Sequence, residues 1–198
     1  MGMPVYLPLQ ALARRLPELS PSCGPVRLVG IDGHAGSGKT TLAARLAEEL
    51  GGAPVLHLDD LASHGALFDW TGRLAGQVLA PLERGETARY EVYDWVRRAY
   101  ASEAELPAAP VALVEGVGAG RRALRPYLAC LLWLETPREE AWRRGRHRDG
   151  EEQREFWAGW TRAERAHFAE DPSRPFANFL VRRGPETYEM LPGPAGSL

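Results

Sequence analysis

The segment Gly33-His34-Ala35-Gly36-Ser37-Gly38-Lys39-Thr40 sets a lysine and a hydroxyl at the end of a glycine-rich turn, in the spacing G-x-x-x-x-G-K-[ST]. Glycines at these places let successive backbone N–H groups turn inward and form an anion-sized nest. A helix expected to start near Lys39 adds the positive end of its dipole at the same point. In that geometry Lys39 reaches the β- and γ-phosphates of a nucleotide, the Thr40 hydroxyl ligates Mg²⁺, and Thr41 completes the loop. ATP and Mg²⁺ are therefore the expected cofactors. Lys39 is also the only lysine among the 24 Lys and Arg residues. Arginine serves wherever a generic cation suffices, but a compact ammonium fits between two phosphates and a planar guanidinium does not.

Acids follow two other apolar runs. Asp59-Asp60 ends the run 54–58, and Glu115 follows Val111-Ala112-Leu113-Val114 and precedes Gly116. A carboxylate at the first place can accept the proton of an attacking hydroxyl or hold a metal through water. Asp-Asp also serves as a helix cap or a solvated turn. Glu115 stands where a second metal-ordering acid belongs, so Thr40 and Glu115 form the expected metal site. Arg143, Arg144, Arg146 and Arg148 crowd one short helix, and Arg144 and Arg148 share a face at i, i+4. On a mobile lid that face can clamp a γ-phosphate and neutralise transition-state charge. A solvated basic helix paired with the acids at 150–152 is the plainer alternative.

Tyr93-Asp94-Trp95 lies in a polar stretch, with Arg98 shortly after. Aromatics there can stack on a flat base and an acid can bind sugar hydroxyls, or the group is a small core beneath a long loop. Together with Asp60 these are the candidate acceptor-binding residues. Trp157, Trp160, Glu164, His167 and Phe168 recur at helical spacing, which reads as packing.

The elements that position these groups alternate. An amphipathic helix over 8–19 precedes a buried strand over 26–31. The glycine loop leads into a helix over 40–50, stopped by Gly51-Gly52. A strand at 54–58, a helix at 74–84, strands at 111–114 and 129–134, helices at 138–147 and 151–169, and a short strand at 178–181 follow. Residues 86–108 read as mostly irregular and the tail beyond Gly184 as Pro/Gly-rich. Continuous apolar strands alternating with helices predict a parallel sheet covered on both faces, with functional loops at the strands' C-terminal ends.

The 198 residues, 44% hydrophobic and 25% charged, suit a single domain over 1–198, with a lid over roughly 138–170. A net charge of −2 disfavours a nucleic-acid partner. No apolar run approaches the roughly 18 residues that span a bilayer, and Arg14 and Arg15 interrupt any leader, so no membrane partner is expected. Two cysteines, Cys23 and Cys130, fit a reduced, cytoplasmic protein. A homodimer stays open.

Taken together, these residues resemble the uridine kinase and phosphoribulokinase branch of P-loop kinases, over roughly 26–183. The resemblance rests on His57-Leu58-Asp59-Asp60, Glu115-Gly116, Tyr93-Asp94-Trp95 (Tyr-Asp-Phe in uridine kinases) and a lid ending Arg148-Asp149. It implies a three-layer α/β P-loop NTPase fold with a five-stranded parallel sheet in order 2-3-1-4-5 and a helical lid. It further implies Asp59 as the catalytic acid–base residue, at a strand end beside the P-loop strand in that order, and Arg144 and Arg148 as lid arginines. Neighbours at a strand end alternate faces, so Asp60 is expected to turn to the other side. The chain departs from the branch at Leu61-Ala62, where aromatics are usual, and at Arg98, which stands at the offset of a base-contacting histidine. The expected function is transfer of the ATP γ-phosphate to a hydroxyl of a small nucleoside-like metabolite. A nucleoside monophosphate kinase is the alternative, with Arg73, Arg97 and Arg98 toward an acceptor phosphate. A non-catalytic ATP-binding regulator is the other. The guanine motif of a GTPase needs a second lysine and is excluded.

Overall fold

The computed structural model describes residues 7–184, 187–196 and 198. Its main sheet has seven strands. β1 is Leu7–Pro8, β2 Arg27–Asp32, β3 Val55–His57, β6 Val111–Glu115, β7 Leu128–Leu134, β8 Phe179–Arg183 and β9 Tyr188–Pro192. Their order is β1-β9-β8-β7-β2-β6-β3. The five strands from β8 to β3 are parallel throughout. Numbered among themselves, they run 2-3-1-4-5, as expected. The sheet is longer than predicted because the tail does not stay irregular. β9 adds antiparallel to β8 and β1 adds antiparallel to β9. Tyr188 and Met190 alternate into the core while Glu189 and Leu191 do not, the period-2 signature of a strand with one buried face.

Alternation along the central strands divides the interior. Leu28, Ala112 and Val114 face one layer, with Leu74, Val78 and Leu82 of a helix over 71–83. Val29, Ile31, Leu113 and Leu132 face the other, with Leu12 and Leu16 of the N-terminal segment and Leu42 and Leu46 of the P-loop helix, Lys39–Glu49. Because both faces are covered, the strands read as unbroken apolar runs.

Residues 86–108 are not irregular. They form an antiparallel hairpin, β4 (Ala88–Asp94) and β5 (Ala99–Leu106), outside the main sheet. Ala88, Tyr90 and Val92 pack on the core while Arg89 and Glu91 face water. The alternation is genuine, but alanine on the inner face makes it weakly hydrophobic. Two helices, Arg138–Asp149 and Arg154–Glu170, form the expected lid region. Among the described residues no helix is long and apolar enough to cross a membrane.

Candidate active site

The C-terminal ends of β2, β3 and β6 open into one cleft of about 910 Å³. At its base lie Ala35, Gly36, Gly38, Lys39, Thr40 and Thr41 of the P-loop, which the strand–turn–helix geometry presents. Gly33, His34 and Ser37 stand behind this surface and do not line it. Gly36 has φ +80°, and a Cβ there would lie 2.1 Å from the Ala141 carbonyl oxygen. Only glycine lets the loop press this closely on the lid helix. Lys39 is nearly buried, and its ammonium donates to the His34 carbonyl at 3.0 Å.

Glu115 ends β6 and is buried beside the loop. It accepts from the Thr40 hydroxyl at 3.0 Å and pairs with His57 Nδ1 at 2.6 Å. Burial raises its pKa, but the His57 hydrogen bond, the Lys39 charge and the Thr40 hydroxyl outweigh that and hold it below the ordinary range. Its hydrogen bond in turn raises the pKa of His57. A hydroxyl and a carboxylate, hard oxygen donors already facing each other on the cleft wall, fit Mg²⁺ well. The acid at the end of β2 is otherwise engaged. Asp32 is fully buried and accepts the amides of Gly33, Gly118 and Gly120 at 2.7, 3.0 and 2.8 Å, fixing both loops that flank the site.

Asp59 also lines the cleft. Its side chain is exposed to the open cleft, and the crowding of the cleft walls and the Glu115 charge push its pKa up against the pull of Lys39. Its position differs from expectation in one respect. β6 lies between β3 and β2, so Asp59 sits across from Glu115, not beside the P-loop strand. Asp60 does not line the cleft, although its charge reaches His57 and Glu115 as well as Tyr90, whose phenol is pushed up to about 12 chiefly by burial. The cause is not strand alternation. Leu58–Asp60 is a 3-10 turn, which rotates each successive side chain by about a third of a circle.

The hairpin supplies the next wall, and here the sequence expectations divide. Trp95 and Arg98 line the cleft. The Trp95 indole donates to the Asp59 carbonyl at 3.2 Å, which fixes it next to the acid. Tyr93 is buried, bonded to His64 at 3.0 Å and packed edge-on against Tyr100. Asp94 accepts the Val96 and Arg97 amides at 2.9 and 2.8 Å. Tyr93 is thus the small core and Asp94 the turn-former of the hairpin, because a tight reversal needs its orphan amides satisfied. Arg98 is the one non-glycine described residue with positive φ, at 56°. Neither Arg73, paired with Glu91 and stacked over Tyr100, nor Arg97, paired with Asp94, reaches the cleft.

Arg144 and Arg148 line the opposite side, as their shared face requires. They pair with Glu140 and Asp149, not with Glu151 or Glu152. The mobile lid of the sequence expectation is, in this structure, docked on the loop through Gly36. Residues that sequence reasoning missed complete the enclosure. His64, Phe156, Trp157 and Trp160 line the cleft, with ring centroids of His64 and Trp95 4.9 Å apart and of Trp95 and Phe156 5.6 Å apart.

No protein-family profile and no curated protein sequence matches the chain. Solved structures do. A possible uridine kinase from Bacillus stearothermophilus is 21% identical at a TM-score of 0.56, over 74% of this chain and 93% of that one. An inferred fructose transport system kinase from Silicibacter sp. TM1040 is 26% identical at a TM-score of 0.51, over 70% and 79%. D-glycerate 3-kinase from Cryptococcus neoformans var. grubii is 15% identical at a TM-score of 0.50, over 92% and 96%. The chain shares the P-loop fold of these kinases. As a P-loop kinase fold it differs from the bare prediction mainly at its edges, where β9, β1 and the β4–β5 hairpin extend it.

Proposed function

We propose that the protein is a kinase that transfers the γ-phosphate of ATP to a hydroxyl of a small, nucleoside-like acceptor. One observation carries this reading: Lys39, Thr40, Glu115, Asp59, Arg144 and Arg148, from four separate segments, line the same cleft. Lys39 and the loop amides hold the phosphates. Thr40 and Glu115 would hold Mg²⁺, which when bound spreads charge from the phosphate oxygens. Asp59 aims the acceptor hydroxyl and takes its proton as the new O–P bond forms and the bond from the γ-phosphorus to its bridging oxygen breaks. Its raised pKa suits that task while leaving it in contact with Lys39's field. Arg144 and Arg148 face the charge that gathers on the transferred group.

The acceptor side supports the finer assignment. Beyond Asp59 the wall is aromatic, made by Trp95, His64 and Phe156, and can stack a flat ring. Arg98 is the cation there. The monophosphate-kinase reading has less support, because Arg73 and Arg97 are committed to Glu91 and Asp94. ADP release measured over nucleosides, nucleotides and vitamin-like alcohols tests the proposal. A purified protein that hydrolyses or transfers nothing across that panel, while binding Mg·ATP, is a regulator and not a kinase.

The lid arginines give a sharper expectation. Arg144→Ala and Arg148→Ala each lower kcat by roughly tenfold while leaving ATP affinity without acceptor nearly unchanged, because their contacts strengthen only as charge develops. Steady-state kinetics beside ATP titration decides this. Changes confined to ATP affinity would make the helix a simple docking surface.

A further inference from the structure

Glu164 belongs to the lid helix Arg154–Glu170 and has no exposed surface. Its two oxygens take four hydrogen bonds. Oε1 meets His34 Nδ1 at 2.7 Å and the Trp142 indole at 3.0 Å. Oε2 meets the Ala35 amide at 3.1 Å and the Trp160 indole at 2.9 Å. Each oxygen therefore joins one donor from the P-loop to one from the lid helices. An ionised carboxylate has about four lone-pair sites and no proton to give, so the set is saturated and His34 must carry its hydrogen on Nδ1. Burial raises the Glu164 pKa, but His34, Trp160 and Ala35 more than offset it, so the group stays charged.

The junction continues in both directions. His34, gripped by its ring, accepts the Lys39 ammonium on its carbonyl at 3.0 Å. Trp142 stands two residues from Arg144 on the helix Arg138–Asp149. That helix meets the loop with no room to spare, since a Cβ on Gly36 would lie 2.8 Å from the Gly145 amide nitrogen. A Cβ on Gly145 would in turn sit 2.3 Å from the Trp157 ring. A buried carboxylate is expensive to keep unless every bond is made. Here all four are made, and they tie the phosphate-binding element to the element that carries the lid arginines.

We propose that Glu164 is a positioning residue that locks the first half of the P-loop to the lid helices, so that the phosphate site and the lid arginines are set by one shared buried charge. This rests on the kinase reading above for its catalytic half, while its nucleotide-binding half stands without an acceptor. Glu164→Gln is the probe. An amide offers one oxygen and presents N–H groups to two of the four donors, leaving them unsatisfied.

The expected result is Mg·ATP affinity weakened roughly tenfold and kcat lowered roughly 30-fold, the scale of losing an outer support that orients a site. In a double-mutant cycle with Arg144→Ala, the combined loss in kcat stays close to that of Glu164→Gln alone, because the arginine is already misplaced. Losses that multiply would overturn the proposal and leave Glu164 a fold-stabilising group. Trp142→Phe keeps an aromatic ring and deletes one lid donor at a residue outside the cleft lining, so it answers the question even where Glu164→Gln fails to fold. It lowers kcat about threefold while ATP binds as in the parent protein, since His34 and Ala35 still hold the carboxylate. If this variant instead weakens ATP binding and spares kcat, the proposal falls. ATP affinity is read without acceptor, so a protein that phosphorylates nothing sinks only the kinase reading.

Discussion

Lys39→Ala should abolish turnover, with a loss on the order of 10³-fold or more, and leave the fold intact. The magnitude is that of removing a preorganised positive group from the point where phosphoryl charge develops in a walled cleft. The structural half of the expectation follows from where the side chain ends. Its ammonium donates to the His34 carbonyl, its one hydrogen bond among the described residues, and faces the cleft. The segment's packing is carried by Leu42, Ala43 and Leu46 of the same helix, all fully buried in the sheet's core. Arginine should not restore activity, because a planar fork does not fit the place of a point charge. Far-ultraviolet circular dichroism and thermal unfolding check the fold, and single-turnover transfer checks the chemistry. Turnover within threefold of the parent would mean that the loop does not hold the reacting phosphate.

How much of this was legible in the sequence follows from how local each signal is. The P-loop announces itself within eight residues, and the acids at the ends of β3 and β6 follow from the rule that strand ends carry function. The i, i+4 spacing of Arg144 and Arg148 placed both on the cleft. The hairpin was lost because its inner face uses alanine and tyrosine, so a real period of two looked polar. The role of Glu164 was not legible at all. Its partner His34 is 130 residues away, and its indole partners Trp142 and Trp160 read as ordinary helical packing. Tyr93 and Asp94 show an alternative that the sequence leaves open. Their motif suits a substrate wall or a small core, and the tight hairpin uses these two residues for a buried ring and two orphan amides.

Asp59→Asn separates a kinase from a nucleotide binder, and it should cost on the order of 10²-fold or more in kcat while ATP still binds. Asparagine keeps the size and the hydrogen-bonding reach but removes both the base and its charge. Asp59 fits the role by placement: it faces the cleft across from Glu115, its carbonyl anchors Trp95, and its pKa is lifted by desolvation and by Glu115. A carboxylate whose proton affinity is raised, yet which lies in the field of Lys39, takes a proton from a hydroxyl more readily than a free one does. Asp60 is the internal control, since it follows Asp59 in the same 3-10 turn but does not line the cleft. Asp60→Asn should therefore lose less than about threefold, well below the scale of a general base. Single-turnover phosphoryl transfer and ATP titration on both variants give the answer. Equal losses at the two positions would point to a damaged turn in place of a missing base. Loss at neither would leave the acceptor hydroxyl without a proton acceptor in this cleft, and the kinase mechanism would then have to begin from a different residue.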